Sequence, residues 1–110
     1  MSKLTSRAQV EQALNALRGR PRSIIIRCPI EQAPLLRDIA LGLDGFELHP
    51  FDLATLLPFE RDIVARAIYN RTFRSDATPI IYLSTEPLRF LDSVLRRAEL
   101  LDVMIEAEPA

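Results

Sequence analysis

The 110-residue sequence has one cysteine, one histidine, three glycines and no tryptophan. A lone cysteine, Cys28, excludes an intrachain disulfide and every multi-cysteine metal site. With His49 as the only histidine, a His-rich metal site is excluded as well, and no cofactor is expected. Charge of one sign is also missing: 14 basic side chains against 15 acidic ones leave a net charge of -1. Such a chain has no global field to draw in nucleic acid or anionic lipid, so neither is an expected partner. Long hydrophobic runs are absent too. Ile24 to Ile26 and Ile80 to Leu83 are a fraction of the ~20 residues that span a bilayer, and the start Met1-Ser2-Lys3 lacks a signal-peptide core. An unpaired thiol without an export signal fits a reducing cytoplasm.

What is present is the composition of a folded domain, 48% hydrophobic and 26% charged. The length allots one domain, residues 1–110, and no second composition marks another. Lys3 is the single lysine, so the positive charge is carried almost wholly by arginine, which pairs in planar, bidentate fashion.

The apolar pattern switches between a 3.6-residue period and short β-rich runs. Ser6 with Gln9 predicts a capping box, followed by a helical face of Val10, Ala13, Leu14 and Leu17 that ends before Gly19. Ser23 to Cys28 is too short for a helix and reads as a central strand buried on both faces. Pro34 suits the first turn of a helix carrying Leu35, Leu36, Ile39, Ala40 and Leu43. Phe46 to His49 is a second strand, and Asp52 caps a short turn. Phe59, Ile63, Val64, Ala67 and Ile68 define a longer helix, Pro79 to Leu83 a third strand. Leu88, Leu91, Leu95 and Ala98 mark a helix from about Leu88 to Leu101, and Val103 to Ile105 a fourth strand. This alternation predicts an α/β fold: a small three-layer domain with a mainly parallel sheet of about four strands flanked by helices. In such sheets a ligand crevice lies beyond the carboxyl ends of the strands. Three loops are thereby singled out, Cys28 to Ala33, Pro50 to Ala54 and Ser84 to Pro87.

Cys28 ends the first strand, where a thiolate nucleophile beside a helix N-terminus would stand. The run Cys28-Pro29-Ile30-Glu31-Gln32-Ala33-Pro34 argues against it. Two prolines remove amides, Glu31 repels anions and Arg37 comes too late to close a phosphate loop, so a buried core cysteine is the alternative. His49 before Pro50 has no Ser, Cys and carboxylate set near it in sequence. Asp38, Asp52, Glu60, Asp62 and Glu86 show no spacing that selects an acid–base pair. Arg18, Arg20, Arg22 and Arg27 form a local basic cluster able to meet phosphate.

Two segments resemble pieces of an AAA+ ATPase core. Ser23-Ile-Ile-Ile-Arg-Cys-Pro-Ile-Glu-Gln-Ala-Pro-Leu-Leu-Arg-Asp-Ile-Ala, continuing to Phe46 and Asp52-Leu53, is similar to that family's strand, Walker A loop, helix and second strand. Pro79-Ile-Ile-Tyr-Leu-Ser-Thr-Glu-Pro-Leu-Arg-Phe-Leu-Asp-Ser-Val-Leu-Arg-Arg-Ala, through Asp102 and Ile105 to Pro109, resembles its sensor-1 strand, arginine-finger helix and final strand. The resemblance puts Thr85 at the sensor-1 position and Arg97 at the arginine finger, with Leu100 in place of a second finger. It also implies a degenerate module. The loop has no Gly, Pro34 replaces the phosphate-binding Lys, and Ser84 and Thr85 replace the Asp and Glu of Walker B if Ile80 to Leu83 is that strand. The likeness stops near Pro109, where the helical lid of that family begins, and Met1 is expected to be a genuine N-terminus.

The expected function is a non-catalytic protein-interaction or regulatory domain, a degenerate AAA+-like module of a larger ATPase or assembly. Its expected partner is a protein, either an ATPase or a second copy of the chain, met through Arg89, Arg96 and Arg97 on the last helix. The alternative is a small α/β ligand-binding domain or enzyme using the crevice near Cys28, Asp52 and Thr85.

Overall fold

The computed structural model describes residues 3–19, 23–71, 78–85 and 97–106. Among them, α1 (Arg7–Ala16), β1 (Ser23–Arg27), α2 (Ala33–Leu41), β2 (Glu47–Leu48), α3 (Pro58–Arg71), β3 (Ile80–Ser84) and β4 (Ala98–Asp102) build an α/β domain. The four strands form one parallel sheet in the order β2-β3-β1-β4. Local chemistry explains most boundaries. Ser6 accepts from the Gln9 amide while the Gln9 side chain returns to the backbone of Ser6, closing the expected capping box of α1. Pro34 sits in the first turn of α2, where a missing N–H costs nothing. Gly45 adopts a positive φ of 88° and turns the chain into β2.

β1 occupies the centre because it can be covered on both faces. Ile24 and Ile26 join Ile81 and Leu83 beneath α1 and α2, where Val10, Leu14, Leu36 and Ile39 meet them. Ile25 and Tyr82 point to the opposite face, against Leu53, Leu56, Val64 and Ile68. Each fully buried isoleucine stabilises the fold by about 1.5–3 kcal/mol, and an Ile→Ala change there costs about 2–5 kcal/mol. The path from β1 to β2 runs one way along the sheet through α2, and that from β2 to β3 returns through α3. Right-handed crossovers of opposite direction require opposite faces, which yields the three layers.

Two expectations are corrected. The fourth strand is Ala98–Asp102, not Val103 to Ile105, so the helix expected to about Leu101 cannot extend past Arg97. Ala98 and Leu100 turn to one face and Leu101 to the other, an alternation that the leucine spacing upstream had masked. Residues 86–96, the body of that helix, lie outside the described residues. On α3 the expected core stripe is only half used. Val64 and Ile68 are buried, whereas Phe59, Ile63 and Ala67 are exposed. The N-terminal segment flanks the far end of β4: Leu4 donates to the Asp102 carbonyl at 2.8 Å and accepts from Met104 at 2.9 Å. Among the described residues, no helix is long and apolar enough to cross a membrane.

Candidate functional site at the carboxyl ends of the strands

Parallel strands end together, so β1, β3 and β4 deliver their last residues to one edge. Arg27, Ser84 and Asp102 share one row of the ladder. Just beyond it opens a cavity of about 280 Å³ whose lining includes Lys3, Arg27, Cys28, Thr85, Asp102 and Met104. The cavity thus lies beyond the carboxyl ends of the strands, and its lining takes in Cys28 and Thr85 but not Asp52.

Arg27 and Asp102 span its floor. Nε donates to Oδ1 at 2.6 Å and Nη2 to Oδ2 at 2.8 Å, a bidentate pair between adjacent strands. These hydrogen bonds hold the Asp102 carboxyl below its usual range and push the Arg27 guanidinium further up. A second polar contact ties the β3 end to the turn before α3. Asp52 accepts from the Thr85 hydroxyl at 2.6 Å and from the Thr85 amide at 3.1 Å, while capping its own 3₁₀ turn through the Ala54 amide at 3.0 Å. The structure thus brings Asp52 and Thr85 into contact, and Thr85 and Cys28 onto one edge.

Cys28 is buried, and that burial, with the nearby Asp52 charge, pushes its thiol up to about 11. Burial thus disfavours the thiolate, and Cys28 packs with the core beneath α1 and α2. The loop after it is equally unsuited to phosphate. Pro29 is extended, the Gln32 amide is engaged by the Pro29 carbonyl at 2.9 Å, and Pro34 has no N–H to offer. The Gln32 side chain clasps the backbone of Ile105 from both sides, donating to its carbonyl at 2.6 Å and accepting from its amide at 2.8 Å.

The remaining candidates are dispersed. Arg97 lies at the opposite end of the sheet, just before β4, with its guanidinium 4.7 Å from the centre of the Tyr69 ring. Arg89, Arg96 and Glu86 lie outside the described residues, as do Arg20 and Arg22. Arg18 bonds Asn15 and covers Phe46, far from the Arg27–Asp102 pair, so these two arginines do not act as one basic cluster. His49 leans on Tyr82, ring centres 5.0 Å apart, and its Nδ1 is turned to the Phe51 backbone. Glu60 caps α3 through the Leu57 amide, and Asp38 and Asp62 are exposed. No group of three potential metal ligands occurs among the described residues.

Sequence reasoning missed Lys3 and Asp102. The available signal was Arg27 itself: a charged residue closing a strand of buried isoleucines needs a countercharge on a neighbouring strand. In comparisons with family models, curated proteins and solved structures, nothing matches this chain.

Proposed function

We propose that the chain is a non-catalytic protein-interaction domain, a degenerate AAA+-like module that docks on a protein partner through the outer side of α3. The observation carrying this reading is the exposed apolar surface there. Phe59 is 62% and Ile63 61% exposed, one turn apart on the same side, with Ala67 a turn further and Leu57 just ahead of the helix. At 100° per residue this side stands well round α3 from the buried Val64 and Ile68. Solvation alone gives no reason to place Phe and Ile there, whereas a partner's apolar surface does. Arg97, the arginine assigned by resemblance to the finger position, packs on Tyr69 of the same helix but on a different side from Phe59 and Ile63. The Pro-rich loop after β1 supports the non-catalytic half of the reading, and MgATP should be neither hydrolysed nor bound. The test is Phe59→Ser combined with Ile63→Ser. The variant should melt with the wild type yet lose the partner that the wild type retains on co-purification at matched expression. Equal recovery by both proteins overturns the proposal, and sedimentation of the purified chain reads self-association separately.

A second reading has its own observation, the cavity at the strand ends. A small ligand-binding domain using that crevice would be stabilised by RT ln(1 + [L]/Kd), which a thermal-shift panel of metabolites detects and a pure docking module does not show.

A further inference from the structure

We infer that the crevice at the carboxyl ends of β1, β3 and β4 binds a small organic carboxylate, held by Lys3 and Arg27. This rests on the second reading above and adds the ligand class. Two cations, Lys3 and Arg27, and one anion, Asp102, line the cavity. Arg27 takes both oxygens of Asp102, and the Lys3 ammonium also acts on that carboxyl and lowers its pKa, so one anion of the lining serves two cations. Of the five N–H donors of the Arg27 guanidinium, two go to Asp102, which leaves the Nη1 pair and one Nη2 hydrogen for a ligand. Asp52 is not part of the lining, so the count of lining charges is two positive and one negative. It bonds Thr85 from outside the lining, although its charge reaches Cys28 on the wall.

The surplus of one positive charge selects between anions. A carboxylate is neutralised by it, whereas a phosphate monoester carries about two negative charges and needs more amides than the loop after β1 offers. Besides the hydroxyl residues Ser84 and Thr85, the lining offers Cys28, Pro29, Val103 and Met104 to a short hydrocarbon body. At about 280 Å³ the cavity lies at the small end for ligand sites, which limits that body to a few carbons.

The probes are hexanoate, hexan-1-ol, hexylamine and inorganic phosphate, each titrated into the ¹⁵N-labelled full chain. Hexanoate should move the amides of Cys28, Thr85 and Met104 with saturable, millimolar affinity. Hexanol, hexylamine and phosphate should bind more weakly. Lys3→Met should weaken hexanoate about fivefold, and Lys3→Arg should restore it. Hexanol or hexylamine binding the crevice as well as hexanoate overturns the ligand class but leaves the ligand-binding reading. A stronger response to phosphate likewise overturns the choice of carboxylate. If no probe moves the crevice amides, both the inference and the reading it rests on fail.

Discussion

Thr85 presents both its hydroxyl and its amide to the carboxylate of Asp52, at 2.6 Å and 3.1 Å, and so fastens the end of β3 to the turn that launches α3. Removing that carboxylate strands two amides and a hydroxyl at once. Asp52→Ala should therefore cost about 2–3 kcal/mol, while Asp52→Asn, which keeps one acceptor oxygen, should cost about 1 kcal/mol. Urea denaturation midpoints at neutral pH measure both. Equal losses would show that the charge, and not the acceptor geometry, matters.

The Arg27–Asp102 pair makes stability depend on acid. Asp102 has a folded pKa below its unfolded value, so its contribution is fully present above about 3.9 and is lost as pH falls through the lowered folded value. Asp102→Asn should cost about 1 kcal/mol at pH 7, a modest figure because the pair is partly open to solvent. The deficit should shrink as pH falls from the ordinary carboxylate range through the lowered folded value. Melting temperatures of the two proteins between neutral and acid pH provide the check; parallel curves contradict it.

Cys28 should react with iodoacetamide slowly in the folded protein. A thiol raised from 9.0 to about 11 holds about a hundredth of the thiolate at neutral pH, and burial obstructs the reagent further. Alkylation followed by mass spectrometry should accelerate sharply in denaturant. Cys28→Ser should leave the native fold in place at a cost of about 1–2 kcal/mol, since a hydroxyl then needs a partner that the thiol did not.

Arg97→Ala should lower stability by about 0.5–1 kcal/mol through its contact with Tyr69, and Arg97→Lys by less. Partner recovery is the separate readout. If Arg97→Ala loses stability but keeps the partner, the arginine acts within this chain and the docking face is confined to Phe59 and Ile63.

Local rules reached what local chemistry decides. The Ser6–Gln9 box and the buried run around Ile25 were legible because a cap and a short β-branched segment carry their own signatures. The strand-end rule groups Cys28, Asp52 and Thr85, of which Asp52 and Thr85 are hydrogen-bonded while Cys28 and Thr85 line the cavity. The sequence did not reveal β4, since Leu88, Leu91, Leu95 and Ala98 satisfy a helical period up to the residue where the strand begins. Nor did it distinguish the two sides of α3, because Phe59 and Val64 are equally apolar and only the position of the sheet decides which is covered. Arg27 signalled the need for a countercharge but not which residue supplies it, because Asp102 and Lys3 come to its cavity only once the two ends of the chain meet.

The sheet order also sets a schedule for synthesis. β1 is made early, yet Ser23 finds its neighbours only in Ile80 and Ala98. Arg27 waits 75 residues for Asp102, about 4–15 s at ribosomal rates of about 5–20 residues per second. Until β3 is made, three consecutive isoleucines have no native strand beside them, which should leave the nascent chain dependent on chaperones and prone to aggregate when overexpressed.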